Sequence, residues 1–317
     1  MTTGSTIDGR TRHYGTFYGL DPADCRDGNA ADDDRPLLVV WGNCQAEAVR
    51  VLLSGSPSLD FRTVRIPPVF ELTKPDIGHL VRLMARTQLL LTQPVKDHYR
   101  DLPLGSGEVA AMMAQGSTVL RWPVVRYSGY HPFQAIIRDP LDELGDPPVV
   151  PYHDLRTLAS ARHGRDLLGA EVSIDGVRTV IEDSKSELHR RERTMCDVVI
   201  SDLFDEPEPG DMFTINHPGN RVLVELVRRV QRALGSPADA AAPGRDLLGE
   251  VSAPIPAAAV AVLGLTGGAS STWRVRGVDV PDTEVHRVQW RWYLDNPRMI
   301  EAGCARHRRT LEILGLA

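Results

Sequence analysis

Lysine is nearly missing from this chain, paired cysteines are missing altogether, and no apolar run is long enough to cross a bilayer. Lys74, Lys96 and Lys185 are the only lysines among 36 basic residues, and the formal charge is -6. That balance excludes a general nucleic-acid binder, whose phosphate contacts need a basic face. Cys25, Cys44, Cys196 and Cys304 lie far apart, with no Cys-x-x-Cys pair and no histidine at zinc spacing. They read as reduced thiols, and no metal site is expected. The longest weakly polar stretch, Ala253 to Leu265, carries two prolines and is far shorter than the ~20 residues of a membrane helix. Met1 to Arg10 is polar and has no basic-then-apolar signal pattern, so a cytoplasmic protein is expected. Gly-x-Gly-x-x-Gly, the Walker loop, Gly-x-Ser-x-Gly and His-Glu-x-x-His are all absent. Thiol chemistry is what these absences leave.

What is present is enough apolar sequence for a full core: 317 residues, 42% hydrophobic and 25% charged, suit one large domain or two small ones. His13 to Gly19 is an aromatic patch able to fold back over the main domain, and the acidic run from Asp21 to Asp34 reads as a solvated linker. Residues 1–35 are therefore expected to be an extension, and residues 36–317 a single domain with an α/β core to about residue 150 and a helical portion beyond. Strands are expected at Leu37 to Trp41, Phe61 to Ile66, Gln88 to Thr92 and Thr118 to Trp122, alternating with helices at Gln45 to Leu53 and Asp76 to Arg86. Short, mostly apolar strands in that rhythm predict an α/β fold with an open, mainly parallel sheet flanked by helices. Helical periodicity then dominates His153 to Arg162, Val177 to Phe204, Arg221 to Leu234 and Trp290 to Leu314, with a break at Pro297. Gly235 to Pro281 is rich in Ala, Pro and Gly and fits no single element.

Gly42-Asn43-Cys44-Gln45 is the most informative motif, because it stands where the first strand gives way to the first helix of the sheet. Outward backbone N–H groups and the positive helix end there favour a thiolate. Gly42 permits a sharp turn, and the Asn43 and Gln45 amides are candidate donors to an oxyanion. A cysteine nucleophile needs a proton acceptor, and His217 in Asn216-His217-Pro218 or His131 in Gly129-Tyr130-His131-Pro132 supplies one. Gln93, in Thr92-Gln93-Pro94, and Asn216 are further positioning candidates. Arg65, Lys74, Arg121 and Arg126 lie near strand ends where cofactor phosphates collect, and Tyr130 joins them as a cofactor candidate. Each of these types also occurs as plain turn, core or surface residue.

The blocks Leu38 to Gln45, Thr92-Gln93-Pro94, Gly129-Tyr130-His131-Pro132 and Asn216-His217-Pro218 together resemble those of the WcbI-type polysaccharide-biosynthesis acetyltransferases. The resemblance covers roughly Pro36 to Val230. It implies a coenzyme A-dependent O-acyltransferase acting on a sugar, with Cys44 as the motif cysteine and His217 or His131 as the histidine. More distantly the order is similar to the SGNH hydrolases and Rossmann-like sheets, with a cysteine in the place of their serine. An acyl carrier protein as donor, a thioesterase or esterase that uses water as acceptor, and a non-catalytic coenzyme A- or glycan-binding module remain alternatives.

Overall fold

The computed structural model describes residues 8–20, 34–141 and 143–317, so residues 21–33 of the acidic run, with Cys25, lie outside the described part. Along the chain, α1 (Gly9–His13) and α2 (Gly15–Tyr18) precede β1 (Leu37–Trp41), α3 (Cys44–Ser54), β2 (Arg62–Thr63), α4 (Ile77–Met84), β3 (Thr87–Thr92), α5 (Ser106–Ala110) and β4 (Thr118–Arg121). Next come β5 (Gln134–Ala135), β6 (His153–Asp154), α6 (Leu155–His163), α7 (Ile174–Met195), β7 (Met212–Thr214), β8 (His217–Pro218) and α8 (Asn220–Ala233). The last third holds β9 (Val251–Ser252), α9 (Ala257–Leu263), β10 (Thr272–Val275), β11 (Val278–Pro281), α10 (Asp282–Asp295), α11 (Pro297–Arg306) and α12 (Arg308–Ile313). Two compact units are made from these: residues 1–124 with 191–200 and 223–245, and residues 125–190 with 201–222 and 246–317.

The first unit is built on a four-stranded parallel sheet in the order β2-β1-β3-β4. All five residues of β1 are buried, as expected of a central strand covered on both faces. The α4 helix turns Leu80, Leu83 and Met84 into the same core as Val39, Trp41 and Leu90. The aromatic patch does fold back: Phe17 enters this core, and the Tyr18 hydroxyl donates to Asp76 Oδ1 at 2.9 Å. Burial favours the neutral Asp76 carboxyl, but bonds from Arg10, Thr73 and Tyr18 outweigh it and hold the pKa down at about 2.

Two elements differ from expectation for identifiable reasons. The strand expected over Phe61 to Ile66 pairs only at Arg62 and Thr63, because the chain then runs into Pro67 and Pro68, which have no N–H to donate. The helix expected over Val177 to Phe204 stops at Met195, followed by a separate 3-10 turn at Ser201–Asp205. There Asp197 pairs with β4 instead: its N–H donates to Arg121 O at 2.8 Å and its Oδ2 accepts Arg121 N–H at 2.7 Å. Glu192, wholly buried, fixes the exit by accepting Ile200 N–H at 2.9 Å.

The second unit carries the helical C-terminal region. Its core joins Val150, Tyr152, Ile215, Ala253, Trp273 and Val285. The stretch that fitted no single element resolves into the antiparallel sheet β11-β10-β9 and the short α9. Pro297 interrupts the C-terminal helix as expected, standing at the first position of α11, where its missing N–H costs nothing. Among the described residues no helix is long and apolar enough to cross a membrane.

Candidate active site

Parallel register decides which sequence blocks meet. Trp41 pairs with Thr92, and Thr92 with Arg121, so the chain leaves β1 at Gly42 and β3 at Gln93 on one carboxyl edge of the sheet. Gln93 is 1% exposed. Its Oε1 accepts Asn43 N–H at 2.9 Å and its Nε2 donates to Gln45 Oε1 at 3.1 Å. A Cβ on Gly42 would stand 2.3 Å from Gln93 Oε1, so only glycine lets the turn pass beneath that amide. Asn43 caps α3, its Oδ1 accepting Gln45 N–H at 2.9 Å. The Gln93 carbonyl is held in turn by the Ser106 hydroxyl at 2.7 Å. Gln93 and Gln45 thus brace one another beneath the cysteine, and their amides, expected to meet an oxyanion, are engaged in shaping the turn.

Cys44 opens α3 half-buried. Burial pushes its thiol up to about 11, while the N–H groups of Cys44 and Gln45 act in the opposite direction. The expected thiolate is therefore corrected. A helix end supplies about 0.3–1 kcal/mol to a nearby charge, whereas a rise from 9.0 to about 11 corresponds to roughly 2–3 kcal/mol against ionisation. One turn along the helix, Glu47 binds Arg50 through both oxygens, at 2.7 and 2.8 Å, and Arg65 Nε at 3.0 Å. Arg65 is therefore tied into a carboxylate-centred cluster one turn from the thiol. Lys74 starts the 3-10 turn before α4 and is exposed, as is Arg121 at the end of β4.

Both candidate histidines belong to the second unit. His131 is 2% exposed, with Nδ1 3.2 Å from Pro254 O and Nε2 3.2 Å from Met212 O. Its ring is a brace between two backbone segments, and burial draws its pKa down to about 4. His217 begins β8, and its Nδ1 lies 3.3 Å from the Tyr152 hydroxyl. That hydroxyl donates to Asn216 Oδ1 at 2.9 Å and accepts from Thr214 Oγ1 at 2.9 Å. With the tyrosine proton on Asn216, His217 Nδ1 is the donor to Tyr152 and Nε2 carries the basic lone pair. Burial lowers His217 to about 4, with Glu250 opposing, so the ring is neutral at pH 7. Asn216 thus sets the tautomer of its neighbour.

Tyr130, expected among the cofactor contacts, is instead wholly buried, with its hydroxyl 2.8 Å from Glu208 O and 3.0 Å from Asp211 Oδ2. Arg126 lines a separate cavity of the second unit with Ser128, Gln134 and Ser184. Sequence reasoning missed Ser106, Tyr152 and Glu47. Only the spacing of Glu47, one turn after Cys44, was a readable signal. Among the described residues no group of three or more His, Cys, Asp or Glu is placed to hold a metal ion.

A thiol at the start of the first helix after the first strand, on the carboxyl edge of a parallel sheet, defines an α/β protein with a cysteine in the usual ligand position of such sheets. The chain belongs to the WcbI family of polysaccharide biosynthesis enzymes, whose model matches residues 37–239. The resemblance drawn from the four sequence blocks is borne out by that match. A solved structure of WcbI, described as a novel polysaccharide biosynthesis enzyme in its native form without a disulfide bond between coenzyme A and one of its cysteines, shares the fold. It aligns with a TM-score of 0.76 and 22% identity, over 89% of this chain and 99% of that one. No curated protein matches the chain in sequence.

Proposed function

We propose that this protein is an acyl-coenzyme A-dependent O-acyltransferase that acylates a sugar hydroxyl during polysaccharide biosynthesis. The observation that carries the reading is the Gly42–Gln45 turn, braced by Gln93 and capped by Asn43, which holds Cys44 at the head of α3. Coenzyme A as donor is supported by the solved WcbI structure, whose description speaks of coenzyme A and a cysteine together. The resident groups that suit a thioester are a thiol at the positive end of α3 and the guanidinium of Arg65 one turn away.

Because the Cys44 thiol is protonated at neutral pH, the proton must leave as the sulfur attacks. His217 is the proposed acceptor: its Nδ1 faces the Tyr152 hydroxyl, whose proton is on Asn216, and this leaves Nε2 as the proton-accepting nitrogen. In the first step a carbon–sulfur bond forms to Cys44, the thioester bond to coenzyme A breaks, and the imidazolium returns its proton to the departing thiol. In the second step the sugar oxygen takes the acyl group, its proton passes through the histidine, and Cys44 is regenerated as thiol. The raised thiol pKa also favours a second route, in which the sugar oxygen attacks the thioester directly and Cys44 only lines the site.

Intact-protein mass spectrometry after incubation with acetyl-coenzyme A separates the routes. An acetyl adduct mapping to Cys44 is expected, and turnover without any adduct would remove the covalent step. Product analysis decides the reaction class: acetate released equally fast with and without sugar would make the protein a hydrolase and sink the transferase reading.

A further inference from the structure

Val149 is a strained point of the second unit. Its φ is +74° although it is β-branched, and its side chain is 40% exposed, so it is not a core contact that holds it there. A left-handed valine persists only where its surroundings enforce it, and residues enforced in this way gather at working sites. What enforces this one is Gln289 of α10, which is 1% exposed. Its Nε2 donates to Pro148 O at 3.2 Å, Val150 O at 3.2 Å and Tyr152 O at 3.0 Å. In an extended chain the four steps from 148 to 152 would carry the outer carbonyls about 13 Å apart. Here all three meet one nitrogen, and the left-handed turn at Val149 curls the backbone around it.

Gln289 Nε2 has two protons for these three carbonyls, while its Oε1 is buried with no hydrogen-bond partner among the described residues. Turned over, the amide would set its oxygen against all three carbonyls, so its orientation is fixed. The curled loop ends on Tyr152. Its ring stacks on Trp273 with centroids 6.3 Å apart, and its hydroxyl is shared by Thr214, Asn216 and His217 Nδ1. We infer that Gln289 is a positioning residue: by gripping the backbone on both sides of Val149 it sets the Tyr152 hydroxyl against His217 and so fixes the tautomer of the imidazole. Its bearing on catalysis rests on the proposal that His217 is the base; its bearing on the ring does not.

Nitrogen-15 NMR of the full chain with labelled histidine tests this, with His217→Ala identifying the His217 signals. The wild-type ring is expected to carry its proton on Nδ1. Gln289→Met, similar in volume but without a donor, should mix the two tautomers and lower kcat for acetyl transfer about 10–100-fold at nearly constant KM, with the fold intact by circular dichroism. Adding Val149→Gly, which takes a positive φ without strain, should restore part of the Nδ1–H form and of the lost rate, a recovery that a merely structural glutamine would not give. Gln289→Asn, too short to reach all three carbonyls, is read in its place if the methionine variant does not fold. A His217 tautomer unchanged in the glutamine variant overturns the inference, as does the absence of any recovery with Val149→Gly. A shifted tautomer with unchanged kcat would uphold the positioning and sink His217 as the base.

Discussion

At the scale of single residues the turn around Cys44 is governed by one missing side chain. Gly42→Ala places a Cβ 2.3 Å from Gln93 Oε1, so the amide must move and the Asn43 N–H loses its acceptor. We expect a loss of about 1–3 kcal/mol in denaturant unfolding, from overpacking and the broken bond. Adding Gln93→Ala should recover part of it, because the clash and the amide disappear together; strict additivity of the two changes would refute the coupling. The Cys44 thiol offers a second test. With a pKa near 11 instead of 9.0, its alkylation by iodoacetamide should be about 100-fold slower at pH 8 than after unfolding. The rate should climb about tenfold per pH unit up to pH 10, and a plateau below pH 8 would contradict the buried-thiol account. If His217 is the base, His217→Ala should lower kcat by about 10²–10⁴-fold, whereas His131 variants should act chiefly on stability.

At the scale of elements, the short α1–α2 segment shows how a loosely patterned sequence acquires a place. Phe17 is 3% exposed in the core of the parallel sheet unit, and Arg10 and Tyr18 both reach Asp76. Phe17→Ala is expected to cost about 3–5 kcal/mol, read as a lower urea midpoint with unchanged slope; a loss below 1 kcal/mol would mean that the segment is merely laid on the surface. The central strands were legible in the sequence because Leu37 to Trp41 and Gln88 to Thr92 are apolar on both faces. The end of α7 was not, because what stops it is the pairing of Asp197 with Arg121, a contact 76 residues distant along the chain. The β9 to β11 sheet escaped for a related reason: its strands are short and half-exposed, and their pairing is set by turns such as Arg276-Gly277, both at positive φ.

For the whole molecule, three imidazoles kept neutral by burial set the response to acid. His131, His153 and His217 are each drawn to about 4, against 6.5 in the unfolded chain. The unfolded state therefore binds more protons between those values, and the stability present above pH 6.5 is lost as pH falls through 4. Each ring contributes up to about 3 kcal/mol, so the melting temperature should drop steeply across that window. His153 shows why it stays neutral: Tyr293 donates to its Nδ1 at 2.5 Å while its Nε2–H serves Ile137 O at 3.1 Å. A melting temperature flat from pH 7 to 4 would refute this. At this scale the sequence made the motif cysteine and its brace Gln93 visible, since both follow apolar strands, but Tyr152 carried no mark, its role being created by β7 and β8 folding beside it.

The two units are also interleaved along the chain, each assembled from three separate segments. No contiguous stretch of the gene encodes either one. During synthesis the sheet that carries Cys44 leaves the ribosome early, yet Leu223, Val227 and Val230, buried residues of the same unit, follow about a hundred residues after β4. The nascent chain must therefore carry an unfinished hydrophobic face until residue 245 has emerged, which makes the cysteine unit a natural client for holding chaperones and a poor choice for expression as an N-terminal fragment.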